Sequence, residues 1–182
     1  MIKAKHVALL RGINVGGNRK LPMKSLAAMF TVAECVDVET YIQTGNVVFS
    51  APATVAKRLP NTIKVAIEQQ FRFSVPVVIR SQEELSACVE RNPFLKRDID
   101  TAALHVAFLA DVPDPACVAA LDATRSPGDS FILRGCDIYL WLPNGVARTK
   151  LTNDYFDRTL KTVSTLRNWN TVLKLLEMAQ SR

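Results

Sequence analysis

The feature that most constrains what this chain can fold into is an internal echo. His6-Val7-Ala8-Leu9-Leu10 is answered, 99 residues on, by His105-Val106-Ala107-Phe108-Leu109. Both segments are short, apolar and strand-like. Each is followed by a proline-led helical stretch with an Ala-Ala pair, then a glycine-centred hairpin, then more helical sequence. A β-α-β-β-α order that occurs twice predicts an α+β protein made by duplication of a ferredoxin-like, split βαβ unit. The expected division is a first α+β subdomain over residues 1–95 and a second over 96–182, joined near Arg91–Thr101 and closed by C-terminal helices.

Local patterns fill in this frame. In the first half, Lys5–Leu10 and Val75–Ile79 read as strands. Val38–Gln43 and Val47–Ser50 flank Thr44-Gly45-Asn46 as a hairpin. Met23–Glu34 carries Leu26, Met29 and Phe30 at helical spacing, behind Pro22 at a position that suits a first turn. Val55–Phe71 is helical in pattern, but Pro60 predicts a kink or a late start near Asn61. Ser81 with Glu84 three residues on is a capping-box start for a helix to Glu90. In the second half, Leu104–Leu109 is a strand and Pro113–Ala123 a helix. Ser130–Leu133 and Ile138–Leu142 form a hairpin around Gly135-Cys136-Asp137. Thr152–Leu160 and Leu166–Ala179 are two closing helices.

Composition sets the class of protein. Hydrophobic residues at 48% and charged residues at 22% suit a globular chain that buries a core without staples. Val7–Leu10 is too short for a signal-peptide core, and no apolar run reaches the roughly 18 residues of a membrane span. Cys35, Cys88, Cys117 and Cys136 are scattered without a CxxC, which reads as reduced thiols in a cytoplasmic protein. No membrane association is expected.

Charge is uneven. Residues 1–33 hold six basic residues and no acid, residues 147–182 carry a net +4, and the stretch between carries −4. Basic ends suit an anionic partner, either nucleic acid or a phosphorylated small molecule. The loop Arg11-Gly12-Ile13-Asn14-Val15-Gly16-Gly17-Asn18-Arg19 follows a strand and precedes a helix, where backbone N–H groups collect anions. Its glycine spacing matches the opening of a Walker A loop. Asn18-Arg19, however, stands where that loop needs Lys-Ser/Thr, so the segment reads as a plain anion-binding loop in preference to a nucleotide-hydrolysing one. The candidate anion-binding residues here are Arg11, Asn14, Gly16, Gly17 and Arg19. Gln43 and Asn46 join them from the first hairpin, and Lys150 from Arg148-Thr149-Lys150-Leu151-Thr152-Asn153. On the last predicted helix, Arg167, Asn170, Thr171 and Lys174 share one side, opposite an apolar stripe of Leu166, Trp169, Val172, Leu173 and Leu176. No metal site is expected, because His6 and His105 have no second ligand at zinc spacing. No cofactor fingerprint, nucleophile elbow or catalytic set is visible.

Several of these segments together resemble a bacterial family of uncharacterised proteins, the domain-of-unknown-function family 1697. They are Ala8-Leu9-Leu10-Arg11-Gly12-Ile13-Asn14-Val15-Gly16-Gly17, Thr40-Tyr41-Ile42-Gln43-Thr44-Gly45-Asn46-Val47-Val48-Phe49 and Arg167-Asn168-Trp169-Asn170-Thr171-Val172. Asn92-Pro93-Phe94 and Thr149-Lys150-Leu151-Thr152-Asn153 also look like its motifs. The resemblance implies a cytoplasmic α+β protein of two similar subdomains and no established activity, cofactor or catalytic residue. Met29-Phe30-Thr31-Val32-Ala33 departs from the Leu-rich helix and Gly turn usual at that place, so the first helix is expected to end differently. Three functional readings fit these residues. The leading one is binding of an anionic ligand, nucleic acid or nucleotide. The second is an enzyme acting on a small phosphorylated or nucleotide substrate, with His6, Tyr41 or Asp154 as the titratable group. The third is an interaction module whose open sheet edge or face forms a homodimer.

Overall fold

A computed structural model describes residues 3–17, 19–96 and 99–181. Asn18, part of the first candidate loop, and Arg97-Asp98, within the stretch expected to join the halves, lie outside the described residues. The chain is a mixed α+β protein with two four-stranded antiparallel sheets. Contacts divide it into two units. One runs to Ser86 and takes in the chain from Lys174 onward; the other is Ala87–Leu173.

The first unit holds β1 (Ala4–Leu10), α1 (Met23–Val32), β2 (Val36–Tyr41), β3 (Asn46–Ala51), α2 (Ala53–Phe71) and β4 (Val77–Ser81), with α3 (Gln82–Glu90) beginning in it. The strand order is β2-β3-β1-β4. The second unit repeats the plan with β5 (Leu104–Leu109), α4 (Pro115–Ala119), β6 (Ser130–Arg134), β7 (Asp137–Trp141), α5 (Asn153–Leu160) and β8 (Ser164–Asn168), followed by α6 (Trp169–Gln180), in the order β6-β7-β5-β8. Each is a complete βαββαβ unit with a trailing helix, one strand more than the repeat read from sequence.

That extra strand is the main correction. Leu166–Ala179 is not one helix. Ser164–Asn168 pairs with β5, from His105↔Asn168 to Leu109↔Ser164. From Thr165 its burial alternates as in a strand, and Thr165 beside Val163 favours extended backbone. The helix starts only after Asn168, whose side chain accepts a hydrogen bond from the Asn170 N–H at 2.9 Å. The apolar stripe shifts accordingly. Trp169, Val172, Leu175 and Ala179 are buried, while Leu173 is exposed.

Three smaller differences have local causes. Pro60 neither delays nor ends α2, which starts at Ala53. Proline costs about 3 kcal/mol inside a helix, but Val55, Leu59, Ile63 and Ile67 are buried along α2, each contributing about 1.5–3 kcal/mol. Burial wins. The helix expected over Pro113–Ala123 lasts only to Ala119, because Asp122 turns the chain by accepting from both the N–H and the hydroxyl of Thr124. After α1 the left-handed position is taken by Glu34, at φ 69°.

The core of the first unit joins Ala8 and Leu10 of β1, Val47 and Phe49 of β3 and Val77 of β4 to Leu26, Met29 and Phe30 of α1 and the buried face of α2. In the second, Ala107, Leu109, Ile138 and Leu140 pack with Tyr155, Phe156 and Leu160 of α5. The opposite faces of both central strands are also buried, through Val7 and Leu9 in β1 and Val106 and Phe108 in β5. Burial on both faces is why Val7–Leu10 and Val106–Leu109 read as continuous apolar runs.

Equivalent caps start the trailing helices. The Glu84 N–H donates to Ser81 Oγ at 3.2 Å, and the Ser81 N–H donates to Glu84 Oε2 at 2.8 Å. Asn168 serves α6. Ser81→Ala and Asn168→Ala are each expected to lower stability by about 1 kcal/mol, measured by urea denaturation with unchanged m-value.

Candidate anion-binding site

The first loop and the first hairpin tip are built as one piece. The Leu10 N–H donates to the Gly45 carbonyl at 2.8 Å, where β1 ends. Gly45 sits at φ 85°, and a Cβ there would lie 2.8 Å from Leu10 Cβ and 3.0 Å from Ile13 Cδ1. Only glycine permits that approach. Asn14 then clamps the two segments. Its Nδ2 donates to the Gln43 carbonyl at 2.8 Å and the Leu21 carbonyl at 2.9 Å, and its Oδ1 accepts from the Leu21 N–H at 2.8 Å. Asn14 itself takes the left-handed conformation, φ 54°, which asparagine tolerates.

Asn14 is therefore the residue that shapes the loop, and its amide is occupied. Asn46 is fully buried and closes the hairpin, donating to the Tyr41 carbonyl and Thr44 Oγ1. Neither side chain is left to read a ligand. Gly16, Gly17, Arg19 and Gln43 are exposed and Arg11 is half-buried. Arg19 Nη1 reaches over Gly12, 3.4 Å from where a Cβ would stand. Lys20 is exposed beside it. Two apolar side chains that sequence reasoning overlooked stand out on the same surface, Val15 at 59% and Ile42 at 48% exposure. Ile42 has φ 49°, an unfavourable backbone for a β-branched residue. The β-rich pattern around Tyr41 hid this, because it read Ile42 as a strand residue.

Lys174 also belongs to the first unit. Its ammonium donates to Glu177 Oε1 at 2.7 Å. That bond raises its pKa first, and Tyr41, at the foot of the hairpin tip, adds to the shift. The loop, the hairpin tip and Lys174 thus belong to one unit.

Lys150, Arg167 and Asn170 belong to the second unit. Lys150 is exposed, with its backbone held by Ser126 Oγ and the Arg125 side chain. Asn170 is exposed on the first turn of α6. Arg167 lies on β8 and is buried, so it does not share a helix face with Asn170 and Lys174. Its guanidinium donates to Thr165 Oγ1 and the Leu166 carbonyl, and burial pushes its pKa down to about 10, still charged at neutral pH. Arg80 is its counterpart on β4. It is equally buried, sits opposite Val7 as Arg167 sits opposite Val106, and donates to the Ile79 carbonyl. The sequence signal for this pair is an arginine one residue before each trailing-helix cap.

Of the titratable candidates for catalysis, Tyr41 ends β2 at the foot of the hairpin tip, and His6 and Asp154 are placed elsewhere. His6 is buried and stacked on Phe49, and its Nε2 has no hydrogen-bond partner. Burial lowers its pKa, and the same cause acts on His105. Asp154 lies in the first turn of α5. Among the described residues no three His, Cys, Asp or Glu side chains gather as a metal site requires. All four cysteines are free thiols. Burial, ahead of Glu34, pushes Cys35 up to about 11. No described helix is long and apolar enough to cross a membrane.

Because three hydrogen bonds meet at one side chain, Asn14→Ala is expected to cost about 2–3 kcal/mol. Amide exchange should then accelerate at Leu21, whose N–H donates to Asn14 Oδ1, while β5 stays protected.

The fold has a solved counterpart. The structure of the conserved bacterial protein SP0830 from Streptococcus pneumoniae is similar over 98% of this chain and 100% of its own, with a TM-score of 0.71 and 22% sequence identity. No curated protein matches the sequence. The family model described as "Protein of unknown function (DUF1697)" matches residues 4–139. With the clamped loop and hairpin both inside that span, the chain belongs to the DUF1697 family of proteins of unknown function.

Proposed function

We propose that the first-unit loop and hairpin tip bind an anionic ligand, and that nucleic acid is the class they suit best. One observation carries this reading: the two copies of the fold solve the same connection differently. In the second unit five residues, Ala110–Asp114, link β5 to α4, and they hold two acids and no base. In the first, twelve residues, Arg11–Pro22, link β1 to α1, and they hold three bases and no acid. The strand-end hydrogen bonds are the same in both, Leu10 to Gly45 and Leu109 to Cys136. The fold therefore does not require the longer, basic, glycine-bearing loop.

Cations at Arg11, Arg19, Lys20 and Lys174 suit a phosphate backbone. The exposed faces of Val15 and Ile42 suit sugar or base surface, which a free phosphate does not offer. The strained, exposed Ile42 is unfavourable for the fold alone, and such outliers concentrate where a ligand is met.

Mobility-shift titrations with single- and double-stranded oligonucleotides test the reading. Three to four phosphate contacts predict that duplex affinity falls roughly 40–150-fold between about 50 and 200 mM salt. Arg19→Gln with Lys20→Gln should reduce the salt slope by about 2. Ile42→Asn should leave stability unchanged or raised while weakening binding. Absence of binding at the lower salt, or binding indifferent to these substitutions, contradicts the proposal.

A further inference from the structure

The one polar side chain on the core face of β1 is His6. It shares that face with Ala8 and Leu10, and it lies opposite Phe49 on β3 and Ser81 on β4. It is 6% exposed, and its ring stacks on Phe49 with centroids 5.5 Å apart. The ring donates to the Ala51 carbonyl. Nε2 is buried with no hydrogen-bond partner, as suits the bare nitrogen of a neutral imidazole. A proton on Nε2 turns it into a second donor with nothing to receive it, and an unmet buried donor is costly.

An acceptor is available on α3. The charges that act on the ring are the carboxylates of Glu83 and Glu84, both in the first turn of that helix. Arg80, the neighbour of Ser81 on β4, lies across from Val7 and so on the other face of the sheet. Both carboxylates are engaged at Ser81. Glu84 Oε2 accepts from the Ser81 N–H at 2.8 Å, and the Glu83 carboxylate accepts from the Ser81 hydroxyl. Ser81 is thus both the residue opposite His6 and the cap of α3, the helix by which the chain leaves the first unit.

The second unit repeats the histidine without the acids. His105 is 7% exposed, donates to the Ala103 carbonyl at 3.2 Å and lies opposite Asn168, the cap of α6. That cap is a neutral amide, and α6 has no acid in its first turn.

We propose that His6 is an acid-sensitive latch on α3: when its ring takes up a proton, the new charge and the Nε2–H draw the Glu83 and Glu84 carboxylates off Ser81, and the capping box opens. Burial holds the ring below the ordinary histidine value of 6.5, against the opposing pull of Ala51, Glu83 and Glu84. The latch is therefore closed at neutral pH. Stability carried by the neutral ring is complete above pH 6.5 and is lost as the pH falls through the lower value of the folded state. The latch and the anion-binding loop use different residues, so each reading stands or falls alone.

An NMR titration of the full chain from about pH 7.5 to about 4.5 tests the latch, with the His6 ring protons and the Ser81 amide followed together. Exchange protection of the Ser81 amide should fall about fivefold, as for loss of a helix cap, with the midpoint of the His6 ring. His6→Gln, which keeps a donor for Ala51 and does not titrate, should abolish that step. Glu83→Gln with Glu84→Gln leaves His6 in place and should move its midpoint to lower pH. The Asn170 amide, held by Asn168 across from His105, should keep its protection throughout. A His6 ring that stays neutral, a Ser81 amide unmoved while His6 titrates, the same step in His6→Gln, a midpoint unchanged by the two glutamines, or equal loss of protection at Asn170 would each overturn the proposal.

Discussion

Each half of this protein depends on a central strand with no polar face. Val7, Ala8, Leu9 and Leu10 are all fully buried, as are Val106, Ala107, Phe108 and Leu109. Such a strand must have a neighbour on each edge, since an unpaired backbone group in that setting costs about 1–3 kcal/mol. β3 and β4 supply those neighbours for β1, and β7 and β8 for β5. The β2-β3-β1-β4 order follows, and with it the place where the first hairpin tip meets the end of β1. The hydrogen bond from Leu10 to Gly45 is thus a consequence of the sheet. Asn14 and Gly45 extend it into a fixed surface.

The repeat of one fold in two units explains how, among the described residues, the two copies can differ at this surface. The sheets, the buried arginines Arg80 and Arg167 and the helix caps Ser81 and Asn168 recur in equivalent places. They are the parts the fold needs, so both copies keep them. The connection after the first strand is free to differ, because the strand-end hydrogen bonds close both units regardless of its length. In the second unit that connection is short and acidic. In the first it is long, basic and clamped to a hairpin by a side chain with no counterpart in the second. Loops that the fold leaves free to vary are where binding residues are disproportionately found, which is the ground for the proposed anion site.

Much of this was legible in the sequence, and the misses have physical causes. The apolar echo gave away the two central strands, because burial on both faces leaves a continuous apolar run. The Ser81–Glu84 capping box and the hairpin around Gly45 were legible for a similar reason, as each is a short-range hydrogen-bonding pattern written in adjacent residues. β8 was not, because Leu166, Trp169 and Val172 happen to fall at helical spacing across a strand–helix junction. Only the sheet pairing to β5 decides where the helix starts. That junction also separated Arg167 from Asn170 and Lys174. In the candidate site, the residue types were readable but the division of labour was not. Whether Asn14 and Asn46 face a ligand or a backbone carbonyl depends on a partner 29 residues away in one case and five in the other. Nothing in the sequence marks Val15 and Ile42, because exposure of an apolar side chain is a tertiary property.

The claim that most needs testing is that the clamped loop and hairpin tip of the first unit form a ready-made anion site that the second unit lacks. Backbone amide chemical shifts during titration with a short single-stranded oligonucleotide test it directly. The account predicts saturable shifts concentrated at Val15, Gly16, Gly17 and Ile42–Thr44, with the amides of Ala110–Asp114 unmoved. Shifts confined to the second unit, or spread evenly over exposed lysines and arginines without saturation, would contradict it.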